Sequence, residues 1–386
     1  MIKINPYRPG AGKMPSYLAG REKDIQEITD IFTYLKENMD TKSVIYSGLR
    51  GVGKTVLINY IEKIAEENNI FCRHIEIEEK QDFIIQLSDC ASYYLRQTTV
   101  TEPIKILFNK AIEAIKSLVL TVDPNNSTFS VSVQEKQLYR TNSLSQGLTE
   151  LFVSIGAIAE KKSKPICFFI DEIQYINPLE LSAVIVALHR CEQLGYPIMI
   201  IGAGLPRVYK LLSDGKSYSE RLFYYKEIGY LSEKEATEAI VEPAKKYDVS
   251  YTDEAIKKII EITKGYPYFI QQLCSIVYTN SGNIINEYDV EIAIEEYYSI
   301  LDQGFYKVRY ARCSEMEKKF IKAMVDCGEL PCTIANIAKN MQKTVKSISP
   351  IRGKLISKGI IFATKYSELD FTVPEFDKYL KRTGGV

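Results

Sequence analysis

The chain has 386 residues, 46% of them hydrophobic and 25% charged, the profile of an ordinary globular protein with two or three domains that each bury a core. Lys plus Arg equals Asp plus Glu at 49 each, so no overall field draws the molecule to nucleic acid or membrane, and any basic surface must be local. Eight scattered cysteines with no C-x-x-C pair, and only His74 and His189 to assist them, argue for free thiols rather than a metal site or a disulfide framework. The start, MIKINPYRPG, carries no apolar leader core, and runs such as Ile198 to Leu205 fall far short of a bilayer span. A cytoplasmic protein without membrane contact is expected.

Residues 42 to 230 alternate short apolar runs with longer amphipathic ones: SVIYSG, a helix from Gly53, FCRHIEI, helices, PICFFIDE, a helix, PIMIIGAG, a helix, and FYYKEIGYL. Such alternation predicts a doubly wound α/β domain with a parallel sheet covered on both faces, assigned to residues 1–230. Within it, TVDPNNSTFSVSVQ at 121–134 breaks the helical rhythm and reads as an inserted hairpin.

After the first apolar run stand Gly48-Leu49-Arg50-Gly51-Val52-Gly53-Lys54-Thr55 and then Val56, which matches G-x-x-x-x-G-K-[ST] between a strand and a helix. This predicts a P-loop. Its glycines let the amides curl around phosphates, the helix N-terminus adds its dipole, Lys54 reaches the β and γ phosphates, and Thr55 ligates Mg²⁺. The fold class expected is therefore α/β with a P-loop NTPase core, and the ligands are ATP or a close relative with Mg²⁺. Asp171 and Glu172 end the apolar strand Ile166 to Ile170, where acids face the ligand crevice of an open sheet. Asp171 suits the Mg²⁺ shell, and Glu172 suits orienting and polarising an attacking water.

From Leu231 to about Leu301 the strands stop. EKEATEAIVEPAKKY, TDEAIKKIIEITKG and EYDVEIAIEEYYSI show helical spacing, opened by Ser232, Thr252 and Asn286, and predict a small helical lid at 231–301. From 302 to 386 follow a helix (EMEKKFIKAMVDCG), a short helix (TIANIAKNM), a third helix ending LISKG, and IIFATKYSELDFTV, two strands about a turn at 365–368. Three helices and a hairpin describe a winged helix-turn-helix.

Between Cys332 and Lys358 lie Lys339, Lys343, Lys346, Arg352, Lys354 and Lys358 with no acid, a local footprint of the kind duplex phosphates attract. Ser349 and Pro350 are expected to open the recognition helix, which would put Arg352 and Lys354 near base edges and Lys339, Lys343 and Lys346 on phosphates. Winged helices also dock proteins, and Lys-rich helices are often only solvated faces. His74 and His189 read as structural or surface residues.

These residues together resemble the AAA+ ATPases: Ala19-Gly20-Arg21-Glu22 ahead of the P-loop, the P-loop itself, Asp171-Glu172, a helical lid and a terminal winged helix. Within them the chain is most similar to the branch holding origin-recognition initiators and the STAND-like ATPases. The resemblance implies that Gly20 and Arg21 lie beside the adenine, although a capping turn before a helix from Glu22 to Leu35 explains them as well. It implies a G-x-P motif in Gly265-Tyr266-Pro267, with Pro267 against the nucleotide, where a plain helix start is the alternative. It implies that Arg221, just before the last strand, is an arginine finger completing a neighbour's site, against a surface ion pair.

Two departures from the family pattern matter. The strand Ile198 to Ile201 ends in Gly202-Ala203-Gly204, where many relatives carry a polar sensor, and the lid offers no obvious sensor arginine. Slow ATP hydrolysis serving as a switch for homo-oligomeric association and double-stranded DNA engagement is the leading expectation. A STAND-like signalling or defence switch with a protein partner is the alternative. A transcription regulator holding nucleotide as a structural ligand is a third.

Overall fold

The computed structural model describes residues 4–78, 82–122, 133–215, 219–365 and 367–384, with side chains outside 120–143. They form two compact units, one of Arg21–Gly48 and Lys54–Ile228, the other of Met1–Gly20, Leu49–Gly53 and Gly229–Val386.

The first unit runs α1 (Glu22–Lys36), β1 (Ser43–Ser47), α2 (Lys54–Glu67), β2 (Phe71–Glu76), α3 (Phe83–Gln97), α4 (Glu102–Val122), α5 (Val133–Lys162), β3 (Ile166–Asp171), α6 (Pro178–Gln193), β4 (Ile198–Gly204), α7 (Val208–Gly215), α8 (Ser219–Leu222) and β5 (Phe223–Glu227). Its five strands are all parallel in the order β2-β3-β4-β1-β5. Every residue of β1, β3 and β4 is buried, which is why those runs are continuously apolar instead of alternating. Successive packing of α3 to α6 builds the core around Leu87, Tyr94, Leu148, Phe152 and Phe168. Leaving β1, the chain goes out to β2 on one side and comes back to β5 on the other, so the winding reverses at the C-terminal end of β1. There Ser47 is level with Gly204, and the Gly48 amide donates to the Gly204 carbonyl at 3.1 Å.

The hairpin expected at 121–134 falls mostly outside the described residues. Residues 121–122 and 133–134 are helical, closing α4 and opening α5.

The second unit contains α9 (Glu233–Lys245), β6 (Ser250–Tyr251), α10 (Asp253–Thr263), α11 (Pro267–Asn280), β7 (Ile284–Ile285), α12 (Glu287–Ile300), a π-helical turn (Leu301–Tyr306), α13 (Lys307–Ala311), α14 (Glu315–Val325), β8 (Cys332–Thr333), α15 (Ile334–Asn340), α16 (Val345–Ser357), β9 (Ile361–Lys365), β10 (Glu368–Phe371) and α17 (Phe376–Arg382). The starts at Ser232, Thr252 and Asn286 are all side-chain caps, and Ser232 and Asn286 form full capping boxes with Glu235 and Asp289. The lid is not free of strands: β6 and β7 pair in parallel over two residues each.

Three sequence-based boundaries shift. Residues 1–20 do not group with the nucleotide core, because Asn5 Nδ2 donates to the Ser275 carbonyl at 2.8 Å and the Tyr7 hydroxyl donates to the Ile240 carbonyl. The border set between 301 and 302 falls inside helical backbone that continues from Glu287 to Ala311. The helix expected to open at Ser349 and Pro350 opens at Val345 instead, capped by the Thr344 hydroxyl accepting from the Ser347 amide. Pro350 thus sits in its second turn, where the missing N–H costs one backbone bond.

Rings join the lid to the segment beyond it. Tyr268 stacks on Phe305 at 4.9 Å, Phe269 meets Phe305 and Tyr306, and Tyr306 stacks on Tyr379 at 5.1 Å while its hydroxyl donates to the Pro374 carbonyl at 2.9 Å. At Tyr306 the ring fills the core while the hydroxyl reaches a backbone acceptor.

Candidate nucleotide site

Four polar residues of the first unit gather where β1 and β3 end. Lys54 and Thr55 open α2, whose first amides face the loop because an α-helix leaves its leading N–H groups unbonded. Lys54 is buried to 9% exposure, and its ammonium donates to the Gly48 carbonyl at 2.9 Å, so the side chain curls back over the loop. The Thr55 hydroxyl donates to Asp171 Oδ2 at 2.6 Å. Asp171 is 3% exposed, and burial pushes its carboxyl above the usual carboxylate range, opposed by the Thr55 hydroxyl and the Glu172 amide. A buried carboxylate touching a threonine hydroxyl, with a lysine nearby, is a hard-oxygen donor set that fits Mg²⁺ and a polyphosphate. Glu172 follows at φ 52°, ψ 36°, the left-handed region that a side chain enters at a cost. Its carboxylate accepts from Gln174 Nε2.

The loop residues Leu49–Gly53 belong with the second unit, and one residue of that unit's helices holds them there. Tyr266, fully buried at the start of α11, donates its hydroxyl to the Arg50 carbonyl. Gly51 has φ 78°, and a Cβ there would collide with that same hydroxyl. Close approach of tyrosine to backbone therefore requires glycine at 51 as firmly as any ligand would. Arg309 on α13 lies over the Phe305 ring at 3.8 Å and donates to the Phe305 carbonyl at 2.5 Å. Burial holds its pKa down to about 10; Tyr266 opposes the shift and the like charge of Arg50 adds to it.

The remaining candidates are dispersed. Gly53, Val52 and Val56 complete the loop and the first turn of α2, with Val52 buried. Pro267 is the first residue of α11, as in any helix started by proline. Gly20 ends the N-terminal segment, with the Glu235 side chain where its own would go, and Arg21 is a buried residue preceding α1. Arg221 is exposed on α8, which enters the N-terminal end of β5. Because Ser43 is level with Phe223, Arg221 stands a strand's length, about 13 Å or more, from the P-loop end of β1. Lys339, Lys343, Lys346 and Lys354 are exposed, Arg352 is half-buried, and Lys358 is engaged with Glu317 at 2.6 Å and the Arg312 carbonyl at 3.0 Å.

Sequence reasoning misses Gln174, Tyr266 as a loop ligand, and Arg309. Gln174 lies two residues past the acidic pair and Tyr266 sits inside the Gly-Tyr-Pro triplet, yet their partners are distant in the chain and leave no spacing signal. Arg309 has none at all.

A parallel sheet in this order, with a lysine and threonine following β1 and an acidic pair closing β3, defines a P-loop nucleoside triphosphatase. Residues 17–201 match the family model described as the AAA ATPase domain, and that stretch is an AAA+ P-loop ATPase domain. Residues 303–380 match a second model, described as a domain of unknown function (DUF8462). No curated protein matches the chain. Among solved structures, it is similar to a Walker-type ATPase of Pyrococcus abyssi, with a TM-score of 0.57 and 13% identity over 97% of this chain and 98% of that one, a likeness of fold. Weaker likenesses are to the Orc1 protein of Aeropyrum pernix in complex with DNA, with a TM-score of 0.47 and 12% identity over 96% and 94%, and to the RuvB Holliday junction branch migration motor of Thermotoga maritima, with a TM-score of 0.45 and 17% identity over 94% and 95%. No helix among the described residues is long and apolar enough to cross a membrane.

Proposed function

We propose that the protein binds ATP with Mg²⁺ and hydrolyses it slowly, and that its nucleotide state switches self-association and engagement of double-stranded DNA by a C-terminal winged helix. The single observation that carries the reading is the buried Thr55–Asp171 pair beside Lys54. Asp171 is costly to keep ionised in that setting, and a bound divalent cation with phosphates offsets that cost. When bound, Mg²⁺ supplies charge neutralisation at the β and γ phosphates. With nucleotide bound, Lys54 would exchange its bond to the Gly48 carbonyl for phosphate oxygen, Thr55 and Asp171 would hold the metal, and Glu172 would accept the proton of the attacking water. Arg221 stands too far from its own P-loop end to assist there, which supports a role on a neighbouring copy.

The elements α14, α15, α16 and the sheet β8-β10-β9 support the winged-helix reading, with Lys339, Lys343, Lys346 and Lys354 free to face phosphates. A protein partner at this surface, as in a STAND-like switch, is favoured by one observation: Lys358 is spent inside the domain and Arg352 is half-buried, so the basic block is smaller than its sequence suggests. ATP turnover and gel filtration of wild type, Lys54→Ala, Glu172→Gln and Arg221→Ala test the proposal. Turnover is expected to vanish in the first two variants, and ATP-dependent association to fail in Arg221→Ala. Equal turnover in all four removes the hydrolytic reading.

A further inference from the structure

Helix α12 buries Val290, Ala293 and Tyr297 against α10 and α11, and at 3.6 residues per turn the side chains that point directly away from those three are Tyr288, Ile292, Glu295 and Ser299. Two of the four are large and apolar. Tyr288 is 67% exposed and Ile292 59%, and Ile284, in β7 just ahead of the helix, is 67% exposed. The centre of an outward face is ordinarily where a helix keeps its polar residues, and here Tyr288 and Ile292 occupy it one turn apart. Around them the helix is acidic throughout, with Glu287, Asp289, Glu291, Glu295 and Glu296 and no basic residue. Lys258 of α10 stands 3.7 Å from both Glu287 and Glu291, which still leaves this face with surplus negative charge.

The opposite chemistry stands elsewhere in the same unit. Where α15 turns into α16, Val345 is 40% exposed between the exposed Lys343 and Lys346, in a stretch that holds no acid from Cys332 to Lys358. We infer that the outward face of α12 is a docking surface for a second copy of this chain, which lays Val345 on Tyr288 and Ile292 and sets Lys343 and Lys346 against Glu291 and Glu295. Each surface has an apolar centre ringed by charge of one sign, and the two signs are opposite. Pairing α12 with α12, or one basic turn with another, would bring like charges together, so the charges select the mixed pairing. One copy therefore offers α12 and the other offers its basic turn, and two copies can make the contact twice about a two-fold axis. So small an apolar patch falls short of the roughly 800 Å² per partner of a standard stable interface, so the association is reversible and dependent on concentration. It uses no nucleotide and no residue of the P-loop, and so goes beyond the ATP-dependent association assigned to Arg221. Lys343 and Lys346 are also residues that the DNA reading uses, so where that reading holds, duplex and second copy compete for them.

The test is sedimentation velocity on the full chain without nucleotide, over a series of protein concentrations. Wild type is expected to self-associate at low salt and to do so roughly tenfold more weakly at about 0.5 M salt. Tyr288→Ser combined with Ile292→Ser is expected to weaken association about tenfold while leaving the thermal melt in place, since both side chains are largely in solvent already. The decisive arm is a charge swap. Glu291→Lys with Glu295→Lys, and separately Lys343→Glu with Lys346→Glu, are each expected to stay monomeric alone and to associate when mixed in equal amounts, because every contact in the mixture again joins opposite charges. Recovery on mixing also shows that neither variant has misfolded. A wild type that stays monomeric at every concentration overturns the inference and leaves the α12 face to another partner. Undiminished association in the Tyr288→Ser, Ile292→Ser variant, or a mixture of the charge-reversed pair that stays monomeric, overturns it as well. Arg221→Ala is expected to keep this nucleotide-free association whether or not it loses the ATP-dependent one, so failure of the functional reading above and failure of this contact are read separately.

Discussion

The ends of β1, β3 and β4 and the block from Cys332 to Lys358 are both conspicuous as polar or charged sequence, and they are built on opposite plans. At the strand ends the polar groups are buried or half-buried and several are tied to a named partner: Lys54 to Gly48, Thr55 to Asp171, Gln174 to Glu172 and Leu205. In the C-terminal block Lys339, Lys343, Lys346 and Lys354 stand in solvent, Arg352 is half-buried, and Lys358 is drawn inward to Glu317. A site that must hold small reactive groups needs fixed directions. Were the C-terminal block to meet a repeating polyanion, as proposed, charge density alone would suffice and its residues would be individually replaceable.

The largest effect that separates these plans is expected from Lys54→Ala. Removing a buried cation from the loop should cost about 3 kcal/mol, or roughly 100-fold, in ATP affinity measured by fluorescent-nucleotide titration. Next comes Lys358→Ala, expected to destabilise the C-terminal segment by about 2 kcal/mol in thermal melts at neutral pH, because Glu317 is 3% exposed while Lys358 remains one-third open to screening. Burial pushes Glu317 up, but the Lys358 and Ser314 bonds outweigh it and hold its pKa below the usual carboxylate value. A depressed folded pKa means that its stabilisation is present above the unfolded pKa and is lost as the pH falls through the folded one. The gap between wild type and Lys358→Ala should therefore close on acidification below the ordinary glutamate range, and a gap that persists there would break the assignment.

A smaller effect is expected from reversing Lys343, Lys346 and Lys354 to Glu together. Duplex binding should weaken about tenfold, and the slope of log affinity against log salt should fall by about 0.9 for each phosphate no longer neutralised. Single reversals should be nearly silent, unlike any single change at the strand ends. The smallest effect is Tyr266→Phe, which removes one hydroxyl from the Arg50 carbonyl and should lower stability by about 1 kcal/mol in thermal melts.

The nucleotide core is legible in the sequence because its chemistry is local. Gly48 to Thr55 is one stretch, and Asp171 and Glu172 terminate one apolar run. Helix caps at Ser232, Thr252 and Asn286 are legible for the same reason. What cannot be read is whatever depends on a distant neighbour. Nothing near Gly204 announces that Gln174 fills its side-chain space. Lys358 looks like its basic neighbours until Glu317, 41 residues away, is found beside it. The start of α16 is misplaced because Ser-Pro is a strong opening signal, and Thr344, a cap as good, lies just upstream. Residues 1–20 carry no pattern of their own, and their place with the lid rests on Asn5 and Tyr7 finding Ser275 and Ile240.

The stacked rings of Tyr268, Phe269, Phe305, Tyr306 and Tyr379 bear on how this chain can be inherited. The family match begins at residue 303, but the rings straddle that point, and aromatic side chains of this kind each bury about 150–250 Å². A gene fusion that exchanged the C-terminal module at that point would leave Tyr268 and Phe269 facing strangers. An exchange that preserves the packing of these rings has to carry both sides of residue 303 together.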